Sequence, residues 1–210
     1  MISFTRAAWT LAAFTTAGAV LPAHATTYTL EPNYTQVVFS WDHLGFSLPT
    51  AQVAQGSGEL AYDEMNLAMS KVQVTIPLST LASGVPDLDE HLASEDFFDR
   101  AKFPYATFTS TKVEQGAAMN RLKVTGNLTI HGVTKPIMLD VTLLGVGSNA
   151  RTGVATVGFN ATGKLKRSDF GLGAFIPHVG DEIALQVTCQ AAESKGYAAY
   201  LEKRAKEAKK

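Results

Sequence analysis

The chain has 210 residues, 18 of them Lys or Arg against 19 Asp or Glu, and a formal net charge of −1. That balance excludes an overall positive field drawing in nucleic acid, and the length suits one domain with a sizeable core. A single cysteine, Cys189, excludes an intramolecular disulfide, and 5 histidines without ligand spacing form no visible metal motif.

In chain order, Arg6, the weakly apolar run Ala7 to Val20 and the small residues of Ala23-His24-Ala25 read as a secretory signal peptide over 1–25. The apolar run falls short of the about 20 residues that cross a bilayer, so the periplasm is the expected destination.

From Tyr28 to Ala191 the dominant signal is alternation with period two. QVVFSWDH places Val37, Phe39, Trp41 and His43 on one face, and KVQVTIPL does the same for Val72, Val74, Ile76 and Leu78. ATFTSTKV, RLKVTGNLTI, PIMLDVTLLG, GVATVGFNATGKL and EIALQVTC follow the rule, with TYTLEP and GSGELAYD as weaker strands. Many short strands with regular turns mean a sandwich or a barrel. Polar alternates such as Ser40, Gln73, Thr75 and Thr129 put one face in water. The other meets a packed core or a cavity, which periodicity alone does not separate.

Only Pro86 to Arg100 resembles helix within this body. There Ser94 with Glu95 and Asp96 reads as an N-cap and first turn, placing Phe97 and Phe98 on an apolar side beside Leu92 and Phe103. The acids between Asp87 and Asp99, with His91, are the one cluster suited to acid–base chemistry, as in a secreted lipid-modifying enzyme. On short helices such acids are ordinarily caps and first-turn charges. IHGVTKPI reads as a hairpin connection, and Cys189 as a buried strand residue. No nucleophile elbow, phosphate loop or dinucleotide fingerprint occurs. Residues 193–210 form a basic amphipathic tail, read as a solvated helix that otherwise lies across a barrel mouth or touches a membrane surface. This tail and the barrel edges both permit a homodimer.

Four motifs occur in order: WDHLGFS, HLASEDFFDRAKFPYATFTST, GNLTIHGVTKPIMLDV and KRSDFGLG. Together they resemble the YceI-like family of exported lipid-binding proteins. The resemblance implies a mostly β chain, an extended antiparallel lipocalin-like β-barrel over 26–192 with a short helical segment near 86–100 and a C-terminal helix or tail. It also implies a non-enzymatic role: a polyisoprenoid lipid is the expected ligand and partner, with no cofactor, no metal and no nucleic acid. Phe39, Trp41, Val74, Ile76, Phe97, Phe98, Phe108, Leu128, Ile130, Phe159 and Phe170 are the expected apolar lining. Arg167 and His91 are the expected head-group contacts, although an Arg this near Asp169 also suits a strand-end ion pair. The sequence departs from the family pattern at Leu88, where an Arg often stands, and at Tyr34-Thr35, where a His-Ser pair often begins the strand.

Overall fold

The computed structural model describes residues 25–209, so the signal-peptide reading lies outside the described residues except at Ala25. The strands are β1 (Thr26–Leu30), β2 (Gln36–His43), β3 (Thr50–Ala54), β4 (Ser57–Tyr62), β5 (Lys71–Pro77), β6 (Tyr105–Gln115), β7 (Arg121–Ile130), β8 (Val133–Ser148), β9 (Ala155–Lys166) and β10 (Val179–Glu193). Among the described residues two α-helices accompany them, α1 (Pro86–Ala93) and α2 (Ser194–Glu207). The antiparallel order β1-β4-β5-β6-β7-β8-β9-β10, with β10 paired back to β1, closes an eight-stranded barrel. Alternation misses only β3, whose TAQVA has two small inward positions, Ala51 and Val53, both buried.

β10 is long enough to serve two partners in succession. Its C-terminal end pairs with β1, Leu30 opposite Ala191, while its earlier part pairs with β2, Val37 opposite Val187. The β2–β3 hairpin therefore stands beside the barrel wall at one end, and residues 78–104 bridge the gap to β5 and β6. The Thr80 hydroxyl accepts from the Ala54 N–H at 2.9 Å, and Gln52 bridges Ala82. The opposite end is packed, with Tyr28, Leu30, Leu60, Tyr62, Val157 and Ala191 in one cluster and Val113, Leu122 and Val124 in another. A register slip in β6 between Ser110 and Lys112 changes the inward parity from Ala106 and Phe108 to Val113.

The helical segment is shorter than expected, and its cap is reversed. α1 starts at Pro86, pre-organised for a first turn, with Asp89 reaching back to the Ser83 hydroxyl at 2.6 Å. It ends at Ala93, and Ser94 closes it as the C-cap, its N–H and hydroxyl both donating to the His91 carbonyl (3.1 and 2.7 Å). Serine oxygens satisfy either helix end, so residue type alone could not fix the direction. Glu95 to Lys102 form turns instead, in which Phe98 N–H donates to Leu92 O and Arg100 N–H to Ala93 O. Those bonds turn both phenylalanines inward without a helix.

The IHGV connection is a two-residue hairpin, with φ of 53° at His131 and 74° at Gly132, as a type I′ turn needs. A Cβ on Gly132 would lie 2.6 Å from the Phe103 ring, which packs on His131. Gly132→Ala is expected to destabilise the fold by about 2 kcal/mol, combining left-handed strain with overpacking. Thermal melts should show part of this loss relieved in a Phe103→Leu background.

α2 sits on β1 and β10 at the packed end, away from the open end. Its first turn is capped by Glu193, which accepts from Gly196 N–H (2.7 Å) and Lys195 N–H (3.1 Å); these bonds hold the carboxyl below its ordinary range.

Candidate ligand cavity

The inward faces of the strands do not meet. Between them lies a cavity of about 590 Å³, within the usual range of ligand sites. Val74, Ile76, Phe108, Leu128, Ile130 and Phe159 all face this space and remain only half-buried. A core packed to ordinary density leaves inward side chains almost no accessible surface, so the wall encloses space. Inward alternation supplies most of that wall: Val37, Phe39 and Trp41 on β2, and Val72 with Val74 and Ile76 on β5. Exposed wall residues His43, Leu44, His91, Phe175 and His178 mark where the cavity meets solvent. Polar groups elsewhere along the wall are few: Thr35, Tyr62, Ser70, Lys71, Arg167 and Cys189.

All thirteen residues expected from sequence lie on this wall, although they differ in character. Phe170 is 1% exposed and belongs to the packed backing of the wall. Phe98 meets Phe39 edge-on, ring centres 5.8 Å apart, while Phe97 stacks on Phe175 at 6.1 Å and meets the His91 ring at 4.9 Å. Phe97, Phe175 and His91 thus bracket the opening. Leu88, the departure from the family's Arg, faces the cavity as hydrocarbon. Thr35, the other departure, is buried; its hydroxyl donates to Glu31 O at 3.0 Å.

Arg167 does not pair with Asp169. Its Nε donates to Gly180 O at 2.8 Å, Nη2 to Val179 O at 2.9 Å and Nη1 to Leu172 O. Burial lowers its pKa from the ordinary value, and the nearby Asp181 charge partly offsets this. Burial alone would raise Asp181. Bonds from Ser168 N–H (2.9 Å) and hydroxyl (2.8 Å), with the charges of Arg167 and Lys166, outweigh it and hold that carboxyl below its ordinary range. The guanidinium therefore fastens the 167–172 corner to the start of β10.

Asp89 is engaged by Ser83, and Asp87, Glu90, Glu95 and Asp96 face solvent. Among the described residues no group of three or more His, Cys, Asp or Glu could hold a metal ion, and no helix is long and apolar enough to cross a membrane.

The Cys189 thiol faces the cavity, where burial pushes its pKa up to about 11 against a weaker opposing contact from Thr35. A neutral thiol in the fold and an earlier-ionising one in the unfolded chain give a definite sign. Stability from this group is complete below pH 9 and is lost as pH rises toward 11, by on the order of 2–3 kcal/mol. Urea titrations at pH 8 and pH 11 should show a smaller alkaline loss in Cys189→Val than in the unaltered chain.

Sequence reasoning missed several wall residues. Ile183, Leu185 and Val187 were available from the alternation in EIALQVTC. Phe175 was not, because the loop GLGAFIPHVG has no periodicity to assign it a side.

A closed antiparallel barrel around a continuous apolar cavity defines a lipocalin-like binding protein. The YceI-like domain family matches residues 28–191. Protein YceI of Escherichia coli O157:H7 is 36% identical over 165 residues, covering 79% of this chain and 85% of that protein. A crystal structure of the Campylobacter jejuni YCEI protein, 33% identical, superposes with a TM-score of 0.64 over 72% of this chain and 89% of that one. A polyisoprenoid binding domain from Saccharophagus degradans, 17% identical, shares the fold with a TM-score of 0.60, over 80% of this chain and 99% of that one. The chain belongs to the YceI-like family.

Proposed function

We propose that this protein is a periplasmic, non-enzymatic carrier or store that holds a polyisoprenoid chain, of the polyprenyl phosphate or isoprenoid quinone kind, in its barrel cavity. The carrying observation is the wall of inward aromatic and branched residues that enclose space they do not fill. A prenyl chain suits such a wall because it is flexible, apolar and able to follow an irregular tube. Burial gains about 0.8 kcal/mol per methylene relative to water, so about six isoprene units of five carbons each supply a gross gain beyond any measured affinity. Chain ordering and incomplete contact remove most of it. The bilayer is the relevant competitor, and a carrier has only to match it. Protein purified from a bacterial periplasm, extracted into organic solvent and analysed by mass, should yield a prenyl lipid at near-stoichiometric amounts. An empty protein that also takes up no polyprenyl phosphate or quinone from detergent would sink the reading.

A further inference from the structure

The open end carries a second feature that the cavity does not require. Phe46 is 91% exposed and Leu48 71%, on the β2–β3 turn, with Leu44 and Phe175 about half exposed beside them. Leu44 and Phe175 also belong to the cavity wall, so the outer apolar surface continues into the inner one. The turn is held firmly: Gly45 N–H donates to Asp42 Oδ1 at 2.8 Å, Phe46 N–H to His43 O at 3.1 Å and His43 N–H to Ser47 O at 2.9 Å. Leu44 N–H donates to His178 O at 3.2 Å, which joins this turn to the loop that carries Phe175. Leu44 and Phe175 adopt φ of 60° and 65°, a region disfavoured for residues bearing a Cβ. The backbone accepts strain at two positions whose side chains lie at the mouth, about half exposed. Neither 44–49 nor 171–179 contains an Asp, Glu, Lys or Arg, so these two loop tips enter an apolar phase without burying a charged side chain of their own, exposed Asp42 standing at the base of the turn.

We propose that the collar of Leu44, Phe46, Leu48 and Phe175 docks the open end on a lipid bilayer. A prenyl chain would then pass between membrane and cavity without crossing water, a step that rests on the ligand reading above. An aromatic tip and leucines presented on a rigid turn whose own residues 44–49 carry no charge suit shallow insertion at the headgroup boundary. A protein partner would call for a polar, hydrogen-bonding rim around the apolar patch. A second copy seated mouth to mouth would seal the cavity it is meant to serve.

The test is flotation of the full chain with vesicles of phosphatidylethanolamine and phosphatidylglycerol that contain no isoprenoid. The unaltered protein should float with the vesicles, and the Phe46→Glu, Leu48→Glu double variant should lose at least tenfold in bound fraction at unchanged melting temperature. Met119→Glu, a charge added to a 92% exposed residue at the packed end, should float like the unaltered chain. In Phe46→Trp the tryptophan emission should shift to the blue on adding vesicles. Failure of the unaltered protein to float, equal flotation of the double variant, or equal loss in Met119→Glu would overturn the proposal. So would light scattering that finds a dimer which the collar variant dissociates. Extracted lipid is scored separately: protein that holds a prenyl lipid and ignores vesicles sinks the docking alone, and protein that floats but never holds a prenyl lipid sinks the ligand reading alone.

Discussion

Arg167→Ala is expected to lower the stability of the barrel by about 3–5 kcal/mol, the largest effect of any single substitution considered for this chain. The side chain is 5% exposed and its three donating nitrogens end on the carbonyls of Leu172, Val179 and Gly180. Truncation leaves three acceptors facing a space that water reaches poorly, and each orphaned buried acceptor costs about 1–3 kcal/mol. It also removes the positive charge that helps hold Asp181 ionised. Arg167→Lys should recover only part of the loss, because one ammonium does not reproduce a planar fork aimed at three carbonyls. Denaturant titration of the three proteins checks the order. Stability unchanged in Arg167→Ala, with selective loss of an anionic prenyl lipid, would instead make Arg167 a head-group ligand.

The second large effect falls on ligand retention. Phe97→Ala and Phe98→Ala are each expected to speed release of a prenyl lipid roughly ten- to thirty-fold, equivalent to about 1.4–2 kcal/mol. Both rings are half-buried at the cavity wall, so truncation enlarges existing space instead of opening a sealed hole. The cost to the fold should stay near 1–2 kcal/mol, below the about 3–5 kcal/mol of a fully enclosed phenylalanine. Phe97 should show the greater effect on release, since it stacks on Phe175 beside the opening, whereas Phe98 packs inward on Phe39. Transfer of a fluorescent prenyl lipid from loaded protein to vesicles, set beside denaturant titrations, separates the two quantities. Equal losses in retention and stability would return the pair to plain core packing.

Most of the barrel was legible because a strand has only two faces. Once Val72, Val74, Ile76 and Leu78 share a parity, their common direction follows wherever β5 lies, and all four reach the cavity wall. The same rule worked for β2, β7 and β9. It faltered where parity is broken or absent: at the β6 slip beyond Ser110, in short β3, and in the loop bearing Phe175. The misread direction at Ser94 has a different origin. Its neighbours Glu95 and Asp96 suit a first turn in isolation, and only the preceding helix, with the carbonyls of His91, Leu92 and Ala93 needing donors, makes the segment a termination.

The sequence by itself determined every strand but β3, most of the inward residues, the family and the double phenylalanine as part of the apolar face, since these depend on local alternation and on motifs in fixed order. Only the tertiary structure decided that the inward residues enclose space. Wall circumference is set by eight strands closing through β10 and β1, a property of the whole ring that no single strand encodes. Arg167 follows the same logic: its neighbour Asp169 offered a local partner, and the carbonyls it serves arrive from residues 172 to 180 as the chain returns into β10.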